Sequence, residues 1–75
     1  MNNSELIKMM VSNSNKSYRE VSLELRKTQG YVSALISQNS SPSLATFIKI
    51  AEACNCKVNL SGDFGQIELT ELFND

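Results

Sequence analysis

The chain has 75 residues, enough for one domain with one modest core. Apolar residues make up 41% and charged residues 20%, a balance that excludes a disordered segment. No apolar run approaches the roughly 20 residues of a membrane span. The opening Met1-Asn2-Asn3-Ser4-Glu5 lacks the basic start of a secretory signal, so no membrane association and a cytoplasmic location are expected. Two cysteines, Cys54 and Cys56, are too few for a disulfide framework, and the chain has no histidine. Neither a structural zinc site nor histidine catalysis is therefore expected, and no metal, no cofactor and no enzymatic activity are predicted.

The net charge is −1, but it is unevenly laid out. Residues 1–42 carry Lys8, Lys16, Arg19, Arg26 and Lys27 against Glu5, Glu20 and Glu24. Residues 43–75 carry Lys49 and Lys57 against Glu52, Asp63, Glu68, Glu71 and Asp75. Binding responds to local field rather than to the total, so an acidic tail leaves room for a basic face.

In chain order, Leu6, Ile7, Met10 and Val11 recur at helical spacing and predict a helix over residues 4–11. The run Ser12-Asn13-Ser14-Asn15-Lys16 is expected to break it. Ser17 followed by Glu20 has the form of a capping box, which starts a second helix reaching about residue 26 with Val21 and Leu25 inward. Thr28 is expected to cap a third helix over residues 28–37, with Val32, Leu35 and Ile36 inward. Only Arg26 and Lys27 are left between the two for a tight turn.

Gln38-Asn39-Ser40-Ser41-Pro42 reads as a loop, since Pro42 cannot lie inside a helix. Ser43 then caps a fourth helix to about residue 53, with Leu44, Phe47, Ile48 and Ala51 on its inner face. Cys54 is expected as a small buried residue and Cys56 as a strand residue. Beyond Asn55 the apolar period becomes alternating. Val58 and Leu60, then Ile67 and Leu69, flank the turn material Gly62-Asp63-Phe64-Gly65 and predict a β-hairpin. A lone hairpin is barely stable, so it needs a helix face or a second chain beside it.

The most informative stretch is residues 18–35. Two short helices joined tightly must cross at a small residue, here Ser22, with Val21, Leu25, Val32 and Leu35 as the facing apolar set. The run Tyr18-Arg19-Glu20-Val21-Ser22-Leu23-Glu24-Leu25, followed by Thr28-Gln29-Gly30-Tyr31-Val32-Ser33-Ala34-Leu35-Ile36, resembles the Cro and phage-repressor type of helix-turn-helix. The later Ser41-Pro42-Ser43-Leu44-Ala45-Thr46-Phe47-Ile48-Lys49-Ile50-Ala51-Glu52-Ala53 resembles that family's helix after the recognition helix, and the likeness covers about residues 4–56. Two features depart from it. Arg26 and Lys27 stand where the family usually has Gly and an apolar residue, and a hairpin takes the place of a fifth helix.

The resemblance implies a mostly α fold: a four-helix lambda-repressor-like helix-turn-helix domain over residues 1–56, then a C-terminal β-strand or β-hairpin over residues 57–75. Within it the helix-turn-helix spans 17–37 and the recognition helix 28–37. It implies a double-stranded DNA operator as partner. Gln29, Gly30, Tyr31, Ser33 and Ala34 would face bases, with Gln29 suited to adenine N6 and N7. Lys16, Ser17, Arg19, Lys27, Thr28, Gln38 and Ser40 would face phosphates. By the same likeness Val58, Leu60, Ile67 and Leu69 would join two copies into a homodimer. The function implied is sequence-specific transcriptional repression in a phage or mobile element. Two alternatives stand beside it: an antitoxin or restriction-controller protein that also binds a protein partner, and a protein-interaction module without DNA binding.

Overall fold

The computed structural model describes residues 2–72, and side chains through Thr70. Four helices, α1 (Asn3–Ser14), α2 (Tyr18–Glu24), α3 (Tyr31–Ser37) and α4 (Leu44–Ala53), are followed by strands β1 (Asn59–Gly62) and β2 (Gly65–Glu68) and a short helix α5 (Leu69–Leu72). No helix among the described residues is long and apolar enough to cross a membrane.

Each of the first four helices is built on local chemistry and closed by the packing of its inner face. Ile7, Val11, Val21, Val32, Ile50 and Cys54 form one buried cluster, with Met10, Tyr18, Leu25, Tyr31 and Leu35 packed around it. Asn2, Ser17 and Ser43 each accept a backbone N–H at a helix start through the side chain. Ser17 and Glu20 complete the capping box that their spacing predicts.

The helix ends are equally regular. At the ends of α2, α3 and α4 the residues Arg26, Asn39 and Asn55 take φ of 61°, 50° and 59°. In each case that residue and the one after it return N–H groups to the last turn: Arg26 to Leu23 and Lys27 to Ser22, Asn39 to Ile36 and Ser40 to Leu35, Asn55 to Glu52 and Cys56 to Ala51. These are Schellman closures, which satisfy carbonyls that the helix leaves open. Asn tolerates the left-handed region through its short polar side chain; Arg has no such relief.

Several expectations need correction. α1 continues three residues past the predicted stop, because Ser and Asn only weakly oppose helix and nothing ends it before Asn15 enters the left-handed region at φ 63°. α3 starts later than residue 28. Thr28 is not its cap; the Thr28 carbonyl accepts Tyr31 N–H at 3.0 Å in a separate turn, and the cap position falls to Gly30. On α4 Leu44 is exposed and Ile50 is buried, the reverse of the pattern read from spacing. α4 packs against α1, α2 and α5, so more than one of its faces is covered.

The hairpin exists, with Leu60 opposite Ile67 and Gly62 opposite Gly65, but it is shifted toward the turn. Val58 and Leu69 lie outside the strands, joined by Leu69 N–H to the Val58 carbonyl at 2.7 Å. Cys56 is in the connection before β1 rather than in a strand. After Glu68 the chain turns into α5 instead of extending, because α4 offers that segment a surface on which Thr70 is buried. Residues 73–75 of the expected tail lie outside the described residues.

The left-handed Arg26 predicts a gain on substitution. Arg26→Gly should raise unfolding free energy by about 1 kcal/mol, since glycine enters this region without a Cβ clash. Urea titration checks this; an unchanged or lower midpoint would mean that Arg26 is not strained.

Candidate nucleic-acid interface

α2 and α3 cross with the turn Leu25 to Gly30 between them, and what fixes the crossing is Ser22. Its side chain is fully buried. The hydroxyl donates to the Tyr18 carbonyl at 2.7 Å and accepts the Val32 N–H at 3.0 Å. The first N–H groups of any helix lack partners within it, and the cap residue normally supplies one. Gly30 has no side chain with which to do so. Ser22 therefore caps α3 from a different helix.

The other end of α3 is tied to α1. The Ser4 hydroxyl, largely buried, shares its hydrogen between the Ile36 carbonyl at 3.2 Å and Asn39 Oδ1 at 2.9 Å. Asn3 Nδ2 donates to Ser41 Oγ at 3.0 Å just beyond. α3 is thus held at both ends, by α2 at its start and by α1 at its close.

Of the residues expected to face bases, Tyr31, Ser33 and Ala34 are on α3, whereas Gln29 and Gly30 lie in the turn before it, with Gly30 at the cap position. Gln29, Gly30 and Ser33 are exposed, and Ala34 is half-buried beside them. Among the described residues the side chains of Gln29 and Ser33 make no internal hydrogen bond. A Cβ added to Gly30 would meet nothing within 4 Å, so the fold does not require the small residue there. Tyr31 is half-buried with its ring against the core, and Lys27 Nζ sits 5.5 Å from the ring centroid. Its ring is thus partly structural, roofed by a cation.

The residues expected to face phosphates do not form one uniform set. Ser17, Arg19, Lys27 and Thr28 are exposed around the starts of α2 and α3, and Gln38 and Ser40 flank the end of α3. Lys16 is occupied elsewhere. Its ammonium donates to both Glu24 carboxylate oxygens at 3.0 and 2.9 Å and to the Ala53 carbonyl at 2.6 Å, where it closes the end of α4. All three of its donors are used.

Sequence reading missed the hydrogen-bonding role of Ser22, which it took only as a small residue at the crossing. The signal was present in a hydroxyl at the crossing position combined with a glycine where α3 needs an acceptor. The Ser4–Asn39 clamp left no readable trace, because it joins residues 35 positions apart.

The matching family model is Helix-turn-helix, over residues 6–60. That span is most of the chain, and the protein belongs to this family of Cro and lambda-repressor-like helix-turn-helix domains. It is accordingly a DNA-binding regulator by family, and the family is not typically enzymatic. No curated protein and no solved structure matches the chain.

Ser22→Ala removes the cap without creating a large void. It should cost about 1–3 kcal/mol, because the Val32 N–H is then buried without a partner. For a domain of this size each kcal/mol lowers Tm by roughly 4–8 °C, which a thermal melt resolves. An unaltered melt would mean that this bond does not hold the crossing.

Proposed function

We propose that the chain is a homodimeric transcriptional repressor of the phage or mobile-element kind, binding a short palindromic operator. The observation that carries this reading is the outer side of α3 and the turn that leads into it: Ser33 is exposed on a helix clamped at both ends, Gln29 and Gly30 are exposed in the turn just before it, and the Gln29 and Ser33 side chains are unused inside the monomer. Each subunit lays that side in a major groove, with half-sites about 34–36 Å apart. Gln29 reads adenine through N6 and N7, Ser33 bonds a base edge and Ala34 lies against a thymine methyl. Gly30 admits the duplex closely, and Tyr31 reaches a base edge or phosphate with its hydroxyl.

Ser17, Arg19, Lys27, Thr28, Gln38 and Ser40 hold the backbone on either side. Lys16, with its ammonium committed to Glu24 and Ala53, acts in this reading as an internal strut that sets the angle of α2. The hairpin joins the subunits through Leu60 and Ile67, which are exposed side by side, with Val58 and Leu69 at its base.

Selection from a random duplex pool at physiological salt tests the whole reading, and a palindromic consensus is the expected outcome. Gln29→Ala should lose about 1–3 kcal/mol on that consensus and relax preference at one position per half-site. Equal loss on random duplex would refute base reading by Gln29. Lys27→Ala should weaken binding to all duplexes alike and flatten the salt dependence by about one unit in log–log slope per subunit. A slope identical to wild type would remove Lys27 from the phosphate set.

A further inference from the structure

The loop that follows α3, residues 38–42, is polar and mostly exposed, so apolar burial does little to fix its shape. Its order comes from hydrogen bonds. The backbone closure at the end of α3 holds it as far as Ser40, with Asn39 N–H on the Ile36 carbonyl and Ser40 N–H on the Leu35 carbonyl. The first turn of α1 supplies the rest. Ser4 is only 8% exposed, and its hydroxyl donates to Asn39 Oδ1 at 2.9 Å and to the Ile36 carbonyl at 3.2 Å. Asn3 Nδ2 carries the restraint one step further, to Ser41 Oγ at 3.0 Å.

Held and free residues alternate along this loop. Asn39 and Ser41 are tied to α1, whereas the side chains of Gln38 and Ser40 make no hydrogen bond among the described residues. Gln38 and Ser40 are the two loop residues assigned above to phosphates. A phosphate contact made from a loose loop loses part of its worth to ordering that loop. A loop already fixed by bonds from behind avoids that loss.

We infer that Ser4 and Asn3 are positioning residues for DNA binding: they hold Asn39 and Ser41 so that Gln38 and Ser40 meet the phosphate backbone already in place. This rests on the DNA-binding reading above and adds to it the part of α1 that sets the grip. The role is separable from base reading, because Ser22 caps the opposite end of α3. It is separable from the cationic contacts as well. Gln38 and Ser40 carry no charge, so losing their contacts releases no fewer counterions.

Binding of the full chain to a labelled duplex, one carrying the selected consensus and one of random sequence, tests it. Asn39→Gly removes the acceptor of Ser4 and keeps the turn, since glycine enters the left-handed region freely at φ 50°. It should weaken binding about three- to tenfold on both duplexes, with circular dichroism native and the salt slope of wild type. Ser4→Ala should give a loss of the same kind, and adding Asn39→Gly to it should change nothing, because both break one bond. Asn3→Ala should give a smaller loss; with Asn39→Gly it carries the test where Ser4→Ala fails to fold. In a chain with Gln38→Ala and Ser40→Ala, none of these changes should weaken binding further.

A wild type that binds duplex, beside Asn39→Gly and Asn3→Ala variants of equal affinity, overturns the clamp and leaves the DNA-binding reading intact. The same holds for a loss that persists at full size without the Gln38 and Ser40 side chains, or one that alters the preference between the two duplexes. Wild type with no affinity for any duplex overturns the DNA-binding reading itself, and this inference with it.

Discussion

The arrangement of the helix pair hangs on one buried hydroxyl. Ser22 joins the carbonyl of Tyr18, on its own helix, to the N–H of Val32, on the next. Apolar contact between Val21 and Val32 would bring α2 and α3 together but would tolerate sliding and rotation, since burial is non-directional. A hydrogen bond to one particular N–H is not so permissive. It fixes which turn of α3 meets α2, and therefore which residues of α3 face outward. The same bond relieves α3 of needing a capping side chain at Gly30, so the start of that helix can stay bare.

Conformational strain is distributed with similar economy. Among the described residues, three of the four non-glycine residues in the left-handed region are asparagines, and they end α1, α3 and α4. The exception, Arg26, falls in the turn of the helix pair. Its backbone would be satisfied by glycine at lower energy, and its neighbour Lys27 roofs Tyr31 rather than packing inward. The turn thus gives up a little stability and presents two cations beside the exposed side of α3. That exchange suits a surface meant for a polyanion better than it suits a purely structural turn.

The hairpin obeys a different constraint. Both of its strands are exposed along nearly their whole length, and α5 is its principal neighbour. Two strands with one apolar side do not persist in water unaided. Leu60, Ile67 and Phe64 take no part in the helical core around Ile7, Val21, Val32 and Ile50. Among the described residues the fold therefore separates into a helical body with a buried core and a hairpin whose apolar side chains stay exposed.

The sequence by itself determined the parts of this protein that local chemistry controls. Helical periodicity, the Ser17–Glu20 capping box, Ser43 as a cap and the Gly62–Gly65 turn all depend on near neighbours, and each was legible. So was the core set Ile7, Val11, Val21 and Val32, because amphipathic spacing leaves one inner face. Tertiary structure decided the rest. Whether Thr28 or Gly30 caps α3 depended on an acceptor arriving from α2. Whether Lys16 faces outward depended on the Glu24 and Ala53 oxygens reaching it from two other helices. Whether Leu69 and Thr70 extend a strand or enter a helix depended on the surface that α4 offers. In each case the competing local options differ by little energy, and a contact distant in sequence tips the balance.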